Sequence, residues 1–216
     1  MVYGRNVAGR TLDLEPSGAL LSASLVMRDR QTDSWWSIMS SKAIGGPLEG
    51  TRLPELGLGE KSTWGEWRRR HPDALVLSVD GNEHVATNPY DRYFSSEGTF
   101  RNAELADERL SAKEPIFAFH LDGAAWAVRH RAFAGGELFD LPDRDRKLLL
   151  FREKGASIYA STEAWLVAPE VAGKRPRARR LLEAARAGEA GFERVEGFDT
   201  FWYTWVGVNR DSKLLR

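Results

Sequence analysis

The dipeptide Asp122-Gly123 stands between Ile116-Phe-Ala-Phe-His-Leu and Ala124-Ala-Trp-Ala-Val-Arg, two apolar runs of matching length. Asp-Gly suits the two-residue hairpin turn, whose central residues both need positive φ. Counting outward pairs Leu121 with Ala124, Phe119 with Trp126 and Phe117 with Val128, so the bulky groups share one face. Ile116, Ala118 and His120 fall on the other. A chain built on this hairpin must supply an apolar layer to cover it. With 216 residues, 42% of them hydrophobic, and eight Trp and ten Phe, it has the material for one large domain or two small ones.

Continuous apolarity without helical periodicity predicts a single strand over 17–28. Asp29-Arg-Gln-Thr-Asp-Ser follows as a turn, because its short polar side chains can bond local backbone before a second strand at Trp35-Trp36. Gly45-Gly46-Pro47 and Gly50 punctuate a loop. Ser62-Thr63 is placed to cap a short helix that starts at Trp64-Gly-Glu-Trp and is stopped by Pro72. Ala74-Leu-Val-Leu-Ser-Val reads as a return to the sheet, and Asn88-Pro89-Tyr90 begins an aromatic loop. Lys147-Leu-Leu-Leu-Phe and Ala156-Ser-Ile-Tyr-Ala read as a strand pair. Pro176 opens a helix with Ala178, Leu181, Leu182 and Ala185 on one stripe, which should lie on the sheet.

The expected class is α+β and strand-rich, with two similar β-rich lobes and a few short helices. The first lobe occupies 1–100, a charged linker 101–113, and the second, degenerate lobe 114–216 with its amphipathic helix near 176–187. The similarity of the lobes rests on a repeat. Trp64-x-x-Trp67, Asp73 and Val76-Leu77 recur as Trp202-x-x-Trp205, Asp211 and Leu214-Leu215, every offset being 138 residues. Duplication explains this more economically than chance. Packing in a core accounts for tryptophans at helical spacing, and we prefer it to a ligand platform.

Charge narrows the partners. Lys plus Arg and Asp plus Glu are 31 each, so no global field favours nucleic acid or an anionic membrane. No run approaches the roughly 20 apolar residues of a membrane helix, and the start of the chain has no secretory h-region. Cytoplasmic location is the default, and an extracytoplasmic one follows if a signal peptide lies upstream. With no cysteine there is neither a disulfide frame nor a thiolate metal site.

Met27-Arg-Asp-Arg-Gln-Thr-Asp-Ser-Trp-Trp-Ser, Ala43-Ile-Gly-Gly-Pro-Leu-Glu-Gly, Thr63-Trp-Gly-Glu-Trp-Arg-Arg-Arg-His-Pro-Asp and Asn88-Pro-Tyr-Asp-Arg-Tyr occur in that order. This set resembles the family called domain of unknown function 3179, specifically from about Gly9 to Phe100 and in outline beyond. The resemblance implies a second, degenerate copy at 116–129 and 200–215. Typical members carry a histidine and a Cys-x-x-Cys segment before the point where this chain begins. Either the protein has lost that segment, or the chain is a fragment or late-start version of a longer exported protein. The family has no agreed activity to carry over.

Asp29, Arg30, Thr32 and Ser34, with Trp36 beyond them, form the densest polar cluster. It reads as a turn, or as a site for a sugar or carboxylate. His71 before Pro72 fits a helix-end histidine, or a base. His84, His120 and His130 are scattered singly, without metal spacing. No phosphate loop or nucleophile elbow is present, and no cofactor is implied. The arginines around 174–180 read as a solvated helix face. Tyr90, Tyr93, Phe94 and Phe100 could stack on a sugar or base, while Trp64 and Trp67 are the remaining aromatic candidates. The expectation is a non-catalytic ligand-binding or structural module whose partner is a small molecule or protein. The alternative is a remnant or subunit of an exported metal-linked, redox or hydrolytic enzyme, with a cleft near Asp29, Arg30, Ser34 and His71.

Overall fold

A computed structural model describes residues 2–56, 64–76, 78, 90–142, 144–156, 160–173 and 177–216. A small ribbon of β1 (Asn6–Val7) and β2 (Arg10–Thr11) precedes the first large sheet, β3 (Leu14–Leu21), β4 (Ser24–Asp29), β5 (Trp35–Ser37) and β6 (Lys42–Gly45). These four strands run antiparallel in sequence order. The single strand expected over 17–28 is therefore a hairpin. Leu21 pairs with Ser24, and Ser22 and Ala23 turn the chain with φ of 49° and 61°. Neither residue ordinarily takes the positive φ that a two-residue hairpin turn needs, which is why the turn left no mark in the sequence.

Helices α1 (Trp64–Arg70) and α2 (Asp91–Ser95) follow. The helix at Trp64 and its end before Pro72 agree with expectation, while its Ser62-Thr63 cap lies outside the described residues, as do Asn88 and Pro89. Residues 74–76 and 78 form no strand, contrary to the reading of Ala74–Val79, whose other residues are not described. Leu75 is 97% exposed and Val76 61%, so these two apolar side chains are not packed in a core.

The second half is layered. β7 (Pro115–Leu121) and β8 (Ala124–Arg129) pair with the expected register around Asp122-Gly123. β13 (Gly197–Phe201) joins β7 antiparallel and β14 (Lys213–Leu215) joins β8 in parallel. A second sheet has the order β12 (Phe192–Arg194), β11 (Glu163–Val167), β10 (Lys147–Phe151), β9 (Glu137–Asp140). The partners of β10 are thus Glu137–Asp140 and Glu163–Val167 rather than 156–160, part of which lies outside the described residues.

Alternation builds the core between these two sheets. Phe117, Phe119, Trp126 and Val128 meet Leu148, Leu150, Ala164 and Leu166. The opposite face of β10, with Leu149 and Phe151, is covered by Leu181 and Leu182 of α4 (Ala178–Arg186) and Ala172 of α3 (Pro169–Ala172). The helix lies on the sheet as its apolar stripe implied, beginning after Pro176. Ile116, Ala118 and Ala127 face the other way, onto Trp202, Trp205 and Val206 of α5 (Trp202–Val206). A strand buried on both faces reads as a continuous apolar run, and β10 and β7 are such strands.

The two tryptophan pairs differ in surroundings. Trp202 and Trp205 are fully buried, and Trp205 Nε1 donates to Ser212 Oγ at 2.7 Å, whereas Trp64 is 48% exposed. Close packing ties α5 to the first sheet: a Cβ on Gly207, just past the helix, would stand 2.0 Å from Ser22 Oγ in the β3–β4 turn.

Candidate functional site

The Asp29 turn is a closed unit. Asp29 is fully buried, and its carboxylate accepts from Thr32 N at 2.6 Å, Thr32 Oγ1 at 2.9 Å, Ser34 N at 3.2 Å and Trp36 Nε1 at 2.9 Å. Burial opposes its charge, but the hydrogen bonds from Trp36, Thr32 and Ser34 prevail and hold the carboxyl below its usual range. Ser34 Oγ in turn accepts from Leu48 N at 3.0 Å, and Gly46 sits so close that a Cβ there would be 2.7 Å from Ser34 Cα. Asp29, Thr32, Ser34 and Trp36 are brought together, with both carboxylate oxygens of Asp29 engaged by the other three. Arg30 points away, to Glu15 at 2.7 Å. His71 is on the far end of α1, its ring 4.2 Å from that of Trp67. Neither cleft described below is lined by Asp29, Arg30, Thr32, Ser34, Trp36, Trp64, Trp67 or His71.

Tyr90 and Tyr93 line a cleft of about 480 Å³. One wall is the β3–β4 turn, with Leu20, Ser24 and Leu25. The facing wall is aromatic, where Tyr93 and Phe94 pack on Phe201 and Phe100 on Tyr93, Tyr93 meeting Phe201 edge-on at 6.0 Å. Tyr93 and Tyr203 share a hydroxyl–hydroxyl bond of 2.6 Å. Burial and that bond raise the Tyr93 pKa, so the phenol stays protonated. Lys113 lies 4.2 Å above the Tyr93 ring and donates to the backbone oxygens of Tyr93 and Ser96, which commits its charge. Tyr90 and Phe100, 59% and 38% exposed, stand at the mouth.

The cleft's polar end comes from residues that sequence reasoning passed over. Asp199 projects from the middle of β13, and its Oδ1 takes His130 Nε2 at 2.8 Å, Thr162 Oγ1 at 2.5 Å and Arg152 Nη1 at 3.3 Å. Its Oδ2 takes Thr162 N at 2.9 Å. Burial works against the charge of Asp199, yet hydrogen bonds from His130 and Thr162 outweigh it and keep the carboxyl below its usual range. Arg152 is similarly buried; desolvation lowers its pKa and Asp199 pulls it back. The available signal was Asp199 itself, a charged residue interrupting Phe198-x-Thr-Phe beside two core tryptophans.

Asp199 is also a wall between clefts. Behind it opens a larger one of about 920 Å³, where Arg152, Arg186 and Arg194 stand among Glu153, Glu163 and Glu196. Arg186 pairs with Glu163, and Arg194 with Glu196 at 3.0 Å, while Arg69 and Arg70 also line this cleft. Among the described residues no group of three His, Asp or Glu side chains could hold a metal ion, and no helix is long and apolar enough to cross a membrane.

Comparison with curated proteins and with solved structures gives no match. A family model does match, described as a protein of unknown function, over residues 1–212 of the 216. That span takes in the ordered motifs of the first half, the aromatic cleft and Asp199 alike, and the chain belongs to the DUF3179 family.

Proposed function

We propose that the chain is a non-catalytic ligand-binding module whose site is the aromatic cleft. The observation that carries this reading is the cleft's make-up: apolar walls from three separate segments converge on one small polar end at His130 and Asp199. Small-molecule sites have this form and a volume of roughly 300–1,000 Å³. Against catalysis stands Ser24, the hydroxyl nearest in kind to a nucleophile, whose Oγ is buried and makes no hydrogen bond. A serine nucleophile needs a base bonded to it.

A thermal-shift screen of neutral aromatic and cyclic fragments tests the reading, run on the wild type and on the double variant Tyr90→Ala, Phe100→Ala. Both residues are exposed enough for the fold to survive their loss. Stabilising fragments should lose their effect in the variant. Fragments that stabilise both proteins equally place binding elsewhere and sink the proposal, and turnover of any bound compound removes the word non-catalytic.

The duplication is likewise a proposal. It is supported by the fixed offset and by both tryptophan pairs opening a helix. The exposure of Trp64 then marks divergence between the copies.

A further inference from the structure

We propose that the ligand is a neutral, hydroxylated ring, of the chemical class of a sugar, and that His130 Nδ1 accepts a hydrogen bond from one of its hydroxyls. The inference rests on the binding reading above and adds the ligand's chemistry to it.

The first step is a proton count. Asp199 is an ionised carboxylate and can only accept. Its contact with His130 Nε2 at 2.8 Å therefore places a hydrogen on Nε2. We take the ring in its neutral form, in which that tautomer leaves Nδ1 a lone pair. No hydrogen bond to Nδ1 forms among the described residues. His130 lines the cleft, and with Nδ1 turned to it the cleft gains an acceptor for an O–H or N–H partner.

The second step is charge. Of the groups lining this cleft, Asp199 is ionised, and Arg152 stands against it with only 4% of its side chain exposed. A charged ligand would leave water for a cleft with no free counter-charge, which is costly. The third is Ser24, a lining residue only 6% exposed, whose Oγ is buried and has no partner, so that it would meet a ligand only by turning toward the cleft. A hydroxyl can turn about χ1, and it can both give and take a hydrogen bond. Ligand hydroxyls match both Ser24 and His130, while the C–H face of a saturated ring matches the rings of Tyr90 and Phe100 at the mouth.

Saturation-transfer NMR tests this with D-glucose, D-galactose, D-mannose and N-acetyl-D-glucosamine, against D-glucuronate and cyclohexylmethanol. At least one neutral sugar should receive saturation on its C–H face, and both controls should be weaker. His130→Gln keeps a donor for Asp199 and loses the ring acceptor. It should weaken the sugar about three- to ten-fold, the worth of one neutral hydrogen bond. Ser24→Ala should weaken it by a similar factor without lowering the melting temperature, since the wild-type hydroxyl is unsatisfied. Binding of cyclohexylmethanol with no binding of any sugar refutes the ligand class and leaves the cleft's binding role standing. Glucuronate binding as tightly as the sugars refutes neutrality. If sugars bind and His130→Gln has no effect, His130 is not the acceptor.

Discussion

Replacing Asp199 by asparagine keeps the side chain's shape and removes its charge. In the native protein the carboxylate answers three residues at once: His130, Arg152 and Thr162. Arg152 is 4% exposed and Asp199 6%, so solvent cannot take over the task. Removing one partner of a buried ion pair costs about 3–5 kcal/mol, because the remaining charge is left uncompensated. For a chain of this size each kcal/mol moves the melting temperature by about 2–4 °C, so Asp199→Asn should melt roughly 6–20 °C lower at pH 7. Acid should erase the gap. The folded carboxyl lies below its unfolded value of about 3.9, so its stabilisation is present above that pH and is lost as pH falls through the folded pKa. Urea unfolding of both proteins at pH 7 and at successively lower pH reads both effects. A gap under about 1 kcal/mol at neutral pH, or one that persists unchanged into strong acid, would refute the reasoning.

Asp29→Ala strands the Trp36 indole N–H and the backbone N–H groups of Thr32 and Ser34, and should cost about 3 kcal/mol or more by urea midpoint. That loss too should fade below the unfolded carboxyl pKa, since the Asp29 pKa is lowered in the fold. Gly207→Ala drives a methyl into Ser22 and should destabilise by about 1–3 kcal/mol. Adding Ser22→Gly removes the clashing side chain at a positive-φ position and should restore most of that stability. Trp205→Ala should cost about 3–5 kcal/mol and Trp64→Ala under about 0.5 kcal/mol by the same assay, because the first is fully buried and hydrogen-bonded and the second half exposed.

The parts legible in the sequence were those in which local chemistry and tertiary need agree. Asp122-Gly123 sets a turn that the two flanking faces also require, so its register followed from counting. The Asp29 turn and the stripe of α4 were readable for the same reason. Ser22-Ala23 was not, because neither residue type favours the positive φ values found there, and the close approach of Ser22 to Gly207 is a tertiary contact. Leu75 and Val76 mimic a strand in composition yet meet no partner strand. Of the cleft, Tyr90 and Tyr93 were recognisable as aromatic candidates. His130, Arg152, Thr162 and Asp199 were not, since they are 22, 10 and 37 positions apart in turn and only the tertiary fold brings them together.

The most direct test of the aromatic cleft as a binding site is a crystal structure of the chain soaked with the neutral sugar that gives the strongest saturation transfer. The ring should lie against Tyr90 or Phe100, with a hydroxyl within hydrogen-bond distance of His130 Nδ1. A sugar found outside this cleft, or one in the cleft whose hydroxyls turn away from His130, contradicts it.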